Sequence, residues 1–84
     1  MSFRVHVRVM PRDGLLDPQG QAVEQSLRQL GFAVGGARIG RLIDVEVEAE
    51  SEGDARAQVE EMCERLFANP LIESFEIELE ENGT

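Results

Sequence analysis

The first segment of the chain alternates between apolar and polar residues. The apolar positions are Phe3, Val5, Val7 and Val9, and the polar positions between them are Arg4, His6 and Arg8. A period of two with β-branched residues on one side predicts a strand that buries one face. Pro11, Asp13 and Gly14 follow, and these turn-forming residues end the predicted strand.

A helix is predicted over about residues 18 to 30. Asp17 offers a side-chain acceptor at the N-cap, and Pro18 has a preset φ that suits the first helical position. The apolar stripe of this helix consists of Val23, Leu27 and Leu30. Gly31 comes next and can adopt the left-handed conformation that commonly ends a helix.

A second helix is predicted to begin after Ser51, which forms a variant of the capping box with Asp54 three positions later. Its apolar positions follow helical spacing and are Ala55, Val59, Met62, Cys63, Leu66 and Phe67. Asn69 and Pro70 end this helix, because proline cannot continue the backbone ladder. The chain therefore has two amphipathic helices, each with one apolar side.

The remaining β signals lie on either side of the second helix. Residues 37–49 alternate around Gly40 and Arg41, which predicts a hairpin; a single bent strand with a bulge at Gly40 is the alternative. After the helix, apolar residues again alternate with glutamates, which predicts a last strand before the polar tail of residues 81–84. The apolar positions of this strand are Phe75, Ile77 and Leu79.

The order β-α-β-β-α-β predicts an α+β fold in two layers, a ferredoxin-like sandwich with two helices on one face of an antiparallel sheet. The charges favour a sheet in which the first strand lies between the third and the fourth. The polar face of the first strand is basic, whereas the flanking strands carry Asp44, Glu46 and Glu48 on one side and Glu76, Glu78 and Glu80 on the other. Two acidic strands side by side would repel, and a basic strand between them relieves that repulsion.

Composition narrows the class of protein. The 84 residues are 42% hydrophobic, which predicts one folded domain over residues 1–84. A core this small gains stability by association, and the single Cys63 cannot form an intrachain disulfide, so we expect a homo-oligomer. A net charge of -9 without any Lys argues against binding of nucleic acid or anionic membrane. The alternating N-terminus and the absence of a long apolar run predict a cytoplasmic protein.

The sequence shows no catalytic constellation. His6, the only histidine, is interpreted as a sheet-face residue paired with Glu or Asp across a strand. Cys63 lies on an apolar stripe and is expected to be buried and inert. The glycines form no phosphate-binding pattern, and the alternating glutamates, including the run that ends at Glu80 and Glu81, are interpreted as a solvated face. We expect no catalytic, cofactor-binding or metal-binding residue in this chain.

One surface is a candidate for binding. The predicted hairpin carries positive charge in an otherwise acidic chain, and the sequence Asp17-Pro18-x-Gly20 fixes the entry of the first helix. The candidate subunit-interface residues are Asp17, Pro18, Gly20, Arg38, Gly40 and Arg41. Each of them can be read simply as a turn or cap residue. Together they are candidates for a surface that docks an acidic partner or a substrate phosphate.

Three segments resemble the PurS family, the small subunit of bacterial phosphoribosylformylglycinamidine (FGAM) synthase. They are residues 16–20 (LDPQG), 38–43 (RIGRLI) and 61–73 (EMCERLFANPLIE), in the order and spacing of that family. The resemblance covers essentially the whole chain, and the three segments together are more specific than any one of them. Arg41 stands where many members of the family have Lys, so the positive charge is kept.

The resemblance implies a non-catalytic subunit, a dimer or higher oligomer, that bridges a PurQ-like glutaminase and a PurL-like synthetase. The complex would use glutamine, ATP and Mg to convert formylglycinamide ribonucleotide (FGAR) into FGAM in purine biosynthesis. Ammonia from the glutaminase has to reach the synthetase without escaping, and this chain, which would bind no cofactor itself, would position and seal the two subunits.

Two other functions suit the same fold. A homodimeric sensor would bind an amino acid or a nucleotide at its dimer interface, as ferredoxin-like regulatory domains do. An acylphosphatase-like enzyme would need Arg and Gly in a phosphate-binding nest after the first strand. Residues 10–14 (MPRDG) are only loosely similar to such a nest, which disfavours the enzyme.

Overall fold

The computed structural model describes residues 1–80. Its elements are β1 (Ser2–Pro11), α1 (Pro18–Gln29), β2 (Arg41–Glu48), α2 (Glu52–Met62), a π-helical turn (Cys63–Phe67) and β3 (Glu73–Leu79). All strand pairs in the sheet are antiparallel, which confirms the α+β class. Within the described part of the chain, no helix is long and apolar enough to cross a membrane.

The sheet has the strand order β2-β1-β3. Val5 lies opposite Val45 on β2 and Leu79 on β3, so these apolar residues share one face. His6 points to the other face and lies opposite Asp44. A shift of one residue would turn every apolar side chain to the polar face, so the alternation fixes the register. The prediction that the basic strand lies between two acidic strands is confirmed.

Helix α2 packs on the apolar face of the sheet. Val5, Val7 and Val9 of the central strand are fully buried, together with Val59 and Cys63 from the helical side. The apolar residues of the flanking strands are only half-buried, namely Ile43 and Val45 on β2 and Phe75, Ile77 and Leu79 on β3. Full burial of one such side chain contributes about 1.5–3 kcal/mol. The stabilising core is therefore centred on β1, and the flanks of the sheet are less well covered.

The ends of both helices follow the sequence prediction. The Ser51 hydroxyl accepts a hydrogen bond from the Asp54 backbone N–H at 3.1 Å, and the Asp54 carboxylate accepts one from the Glu50 N–H at 3.3 Å. After α1, Gly31 has φ +99°, a conformation that disfavours residues with a Cβ. The predicted caps are confirmed.

The hairpin predicted over residues 37–49 is wrong. A single strand begins at Arg41, and the segment before it belongs to no strand. The Ile39 N–H donates to the Asp17 carboxylate at 2.9 Å, and the carbonyl of Ala37 lies against Gly20. These backbone groups face the start of α1 instead of a neighbouring strand. The sheet within residues 1–80 consequently has three strands where four were predicted.

Residues 18–36, which we call the arm, extend away from the sheet. They comprise α1 and the segment that returns along it, and Arg28 joins the two by donating to the Val34 carbonyl oxygen at 3.2 Å. Gly20 is the one buried residue of α1. The Cα radius of gyration is 16.3 Å, whereas about 12 Å is expected for a compact chain of this length. The apolar stripe of α1, predicted to cover the sheet beside α2, is therefore uncovered in the single chain.

Candidate docking site

Asp17 joins the arm to the rest of the chain. One carboxylate oxygen accepts the Gly20 N–H at 3.0 Å and caps α1, and the other accepts the Ile39 N–H at 2.9 Å. These two backbone hydrogen bonds, with the nearby charge of Arg38, lower the pKa of Asp17. The N-cap predicted from the sequence therefore has a second role, which is to hold the returning segment against the helix start.

Gly20 and Gly40 lie where two parts of the backbone approach closely. A Cβ at Gly20 would collide with the Ala37 carbonyl oxygen, and a Cβ at Gly40 would collide with the Val9 carbonyl oxygen and the sulfur of Met10. Neither glycine has a positive φ, so close approach, not a left-handed conformation, is what demands glycine here.

Arg38 and Arg41 are both engaged within the chain. Arg38 donates to the Pro11 carbonyl oxygen and forms an ion pair with Asp13 at 3.1 Å. Arg41 makes two hydrogen bonds to the Glu73 carboxylate, at 3.0 and 3.1 Å, and a third to the Phe67 carbonyl oxygen at 2.7 Å. This fork of hydrogen bonds lowers the pKa of Glu73, which also accepts the Asn69 N–H. Arg41 thereby ties the start of β2 to the start of β3.

An apolar cleft of about 410 Å³ opens beside these contacts. We call it the end cleft, and its apolar residues are Pro11, Leu15, Leu16, Pro18, Ile39 and Ile72. Leu16 is 71% exposed and Ile72 is 51% exposed. Exposed large apolar side chains grouped in one concavity are typical of a surface that binds another molecule.

The six predicted interface residues divide into three groups by their position relative to the end cleft. Asp17, Pro18 and Arg41 line it, whereas Arg38 lines two other depressions beside the β1–α1 loop. Gly20 and Gly40 do not line the cleft. They permit the close backbone approaches described above.

The sequence-based site omitted the large aliphatic residues of the end cleft. Leu15, Leu16, Leu71 and Ile72 lie in loops that connect β1 to α1 and the π-helical turn to β3. A pair of large apolar residues inside a turn segment is unusual, because loops are normally exposed and polar. These pairs of apolar loop residues can be seen in the sequence.

The polar face of the sheet carries a ladder of paired charges. The His6 ring bonds to the Asp44 carboxylate through Nδ1 and approaches a Glu80 oxygen at 3.2 Å through Nε2. The hydrogen bond to Asp44 is the main cause that raises the pKa of His6, and Glu80 adds to it. Arg8 pairs with Glu76 at 3.1 Å. The interpretation of His6 as a sheet-face residue paired with carboxylates is confirmed.

Cys63 is fully buried in the π-helical turn, as predicted. Burial raises the pKa of its thiol, and the neighbouring Glu60 and Glu64 act in the same direction. The thiolate, which is the nucleophilic form, is therefore disfavoured. Among residues 1–80, no three His, Cys, Asp or Glu side chains are grouped so as to hold a metal ion, and Glu81 of the acidic run lies outside the described residues.

Comparisons with known proteins agree on one family. Residues 4–81 match the family profile PurS, described as phosphoribosylformylglycinamidine (FGAM) synthase. The FGAM synthase subunit PurS of Synechocystis sp. is 39% identical over 79 residues, which cover 93% of this chain and 79% of that relative.

Solved structures of the same family have the same fold. PurS from B. subtilis is 39% identical, with a TM-score of 0.84, and the match covers 94% of this chain and 99% of that one. A chain in the structure of PurLQS from Thermotoga maritima is 34% identical, with a TM-score of 0.88, over 95% of this chain and 99% of that chain. The ferredoxin-like α+β fold is confirmed by these neighbours.

Proposed function

Since this chain belongs to the PurS family of FGAM synthase subunits, we propose that it is the non-catalytic subunit that bridges the glutaminase and the ATP-dependent synthetase of this ligase. The Thermotoga maritima relative was solved in a structure described as PurLQS, so a member of this family occurs together with other subunits. In the proposed complex, ammonia released from glutamine is used to convert FGAR to FGAM, and ATP and Mg are bound by the other subunits.

The end cleft is the observation that carries this proposal. It presents Leu15, Leu16 and Ile72 to solvent beside the charged pair Arg41–Glu73. An apolar centre with a charged rim has the composition of a protein–protein interface. Such a surface can hold a partner in a fixed orientation, which is the contribution that positioning makes to a two-site reaction.

We further propose that the subunit is a homo-oligomer and that it acts in the cytoplasm. The alternative of a small-molecule sensor is not favoured, because the family match covers nearly the whole chain. An acid-rich surface with a net charge of -9 also suits partners with basic docking faces.

Reconstitution tests the bridging role. Purified glutaminase and synthetase subunits from the same source receive FGAR, ATP and glutamine, and FGAM formation is followed with and without this chain. Glutamine-dependent product is expected only when the chain is present. Equal FGAM formation without the chain, and no complex on a sizing column, would overturn the proposal.

A matched pair of variants tests the docking surface. Leu16→Glu places a charge in the end cleft, whereas Leu42→Glu makes the same change at an exposed leucine on the polar face of the sheet. Leu16→Glu is expected to reduce glutamine-dependent FGAM formation at least about tenfold, because a charge in an apolar contact is costly. Leu42→Glu should leave the rate unchanged. The reverse result would assign docking to the polar face of the sheet instead.

A further inference from the structure

A pocket at one end of the sheet gathers positive charge in an otherwise acidic chain. It has a volume of about 510 Å³, and we call it the arginine pocket. Its charged and hydroxyl-bearing lining residues are Arg8, Arg12, Asp13, Arg38, Ser74 and Glu76. Three of the eight basic residues of the chain are among them, against two carboxylates, so this lining has a net charge of +1 where the whole chain has -9.

The sheet and the loop after β1 bring these side chains together. In the pairing of β1 with β3, Arg8 lies opposite Glu76 on the polar face, and Ser74 follows on the same face. Arg12 comes directly after β1, and its N–H donates to the Ile72 carbonyl oxygen at 2.9 Å. The arginine pocket is therefore built on two hydrogen-bonded strands and on a loop that is tied to them.

Arg12 supplies a guanidinium group in a fixed orientation. Its Nε and Nη2 atoms donate to the Pro70 carbonyl oxygen at 3.1 and 2.8 Å. Within residues 1–80 the Arg12 guanidinium is paired with no carboxylate, and its other N–H donors remain for a ligand. Because the side chain is already ordered by Pro70, binding an anion costs less conformational entropy than it would at a freely moving arginine.

The other two arginines are held by carboxylates that a ligand can displace. Asp13 pairs with Arg38 at 3.1 Å, and the Asp13 side chain is 96% exposed. Glu76 pairs with Arg8 at 3.1 Å, and the Glu76 side chain is 78% exposed. Ion pairs between exposed side chains contribute little to stability, because water screens them and both side chains lose freedom. Both carboxylates can therefore move aside when a stronger anion enters the pocket.

The chemistry of the arginine pocket fits a phosphate group better than a carboxylate. A phosphate monoester carries about -1.5 to -2 charges at pH 7 and three terminal oxygens, whereas a carboxylate carries one charge and two oxygens. Guanidinium groups bind phosphate oxygens through paired N–H donors. The remote carboxylates that make the chain acidic oppose this only weakly, because the screening length is about 8 Å at physiological ionic strength.

We propose that the arginine pocket binds the phosphate group of a small phosphate monoester, held by Arg8, Arg12 and Arg38. The Ser74 hydroxyl lines the same pocket and can donate a further hydrogen bond. The volume of about 510 Å³ lies within the ~300–1,000 Å³ of pockets that hold small molecules, so the organic part of the ester has room as well. This inference goes beyond the bridging role and does not depend on it.

A titration followed by nuclear magnetic resonance tests the site. Ribose 5-phosphate, inorganic phosphate and acetate are added separately to the isotope-labelled chain at constant pH and ionic strength. Ribose 5-phosphate is expected to shift the backbone amide signals of Arg12, Asp13 and Ser74 saturably, with a dissociation constant of about 1 mM or below. Inorganic phosphate should bind at the same residues at least about threefold more weakly, because it lacks the organic part of the ester. Acetate should give no saturable shift.

Substitutions at the pocket should change the affinity in both directions. Arg8→Gln and Arg38→Gln each remove one guanidinium group and should raise the dissociation constant for ribose 5-phosphate at least about fivefold. Asp13→Asn removes a competing carboxylate and should lower it about threefold. A variant that merely damages the fold would not bind more tightly. Arg65→Gln is the control, since Arg65 is an exposed arginine that pairs with Glu61 on the helical side of the molecule.

Three results would overturn the proposal. Shifts that do not saturate, or that acetate reproduces, would show a general response to ions. An affinity that is the same in Arg8→Gln, Arg38→Gln and Arg65→Gln would place the ligand outside the arginine pocket. Equal affinity for ribose 5-phosphate and inorganic phosphate would assign the pocket to the free ion instead of an ester. All of these measurements use the chain alone, so failure of FGAM formation in the reconstitution would leave their outcome unaffected.

Discussion

Asp17 uses its two carboxylate oxygens for two different parts of the chain. One caps α1 through Gly20, and the other receives the backbone N–H of Ile39. Asn also caps helices, but it has a single acceptor oxygen, so its amide group would face one of the two N–H donors. The residue type at this position is therefore more restricted than an N-cap alone requires.

Asp17→Asn is expected to lower the melting temperature by roughly 4–8 °C, and Asp17→Ala by more, because Ala also loses the cap. The pKa of Asp17 is lowered in the folded state. The ionised carboxylate therefore stabilises the fold at pH values above its ordinary pKa of 3.8, and this stabilisation is lost as the pH falls through the folded pKa. Asp13→Asn changes an exposed carboxylate in the same loop and is the control. Thermal unfolding followed by circular dichroism measures all three, and an Asp17→Asn variant as stable as Asp13→Asn would contradict the argument.

His6 makes stability depend on pH near neutrality. Its pKa is raised above the ordinary value of 6.5, chiefly by Asp44. Protonation therefore favours the folded state: the contribution is fully present below about pH 6.5 and is lost as the pH rises through the folded pKa. His6→Gln should remove this part of the pH profile. Urea unfolding from pH 5.5 to 8.5 measures the free energy of unfolding of the wild type and of His6→Gln. A difference between the two that stays constant over this range would contradict the prediction.

Among the elements, those with strong local signals were predicted correctly from the sequence. The alternation of β1 and β3, the caps of both helices and the charge pattern were enough to predict their type and the position of β1 between acidic strands. Ala37 and Ile39 also alternate, but their backbone is held by α1 through Asp17 and Gly20. A local sequence pattern cannot show this tertiary contact, which forms where the hairpin was predicted.

The predicted docking residues were also chosen from local signals, and most of them make contacts within the chain. Gly and Arg positions were selected because turns and charges are easy to recognise, and the structure gives most of them internal tasks: Arg41 bonds to Glu73, and Gly40 permits a close approach. The apolar surface of the end cleft, including Leu16, depends on which loops meet at the end of the sheet. The apolar residues of the two loops can be seen in the sequence, but their meeting in one cleft is decided by the three-dimensional packing.

The close approach at Gly40 gives a test at the scale of elements. Gly40→Ala places a methyl group against the Val9 carbonyl and the Met10 sulfur, so β1 and the segment before β2 have to separate. We expect a loss of about 1–3 kcal/mol in the free energy of unfolding. Gly35→Ala is the control, since its Cβ would meet nothing within 4 Å and its φ is not positive. Urea denaturation compares the two, and equal stability of both variants would mean that the segment can shift at no cost.

For the molecule as a whole, association into the proposed homo-oligomer is coupled to folding, because only the folded chain presents the surface that the copies share. The melting temperature should therefore rise with protein concentration, by roughly 3–6 °C for each tenfold increase. Added salt should strengthen association, since 1 M salt shortens the screening length to about 3 Å and weakens the repulsion between two chains of charge -9. Calorimetry over a range of protein and salt concentrations measures both effects. A melting temperature that does not depend on protein concentration would show that the single chain is stable by itself, and it would contradict the proposed homo-oligomer.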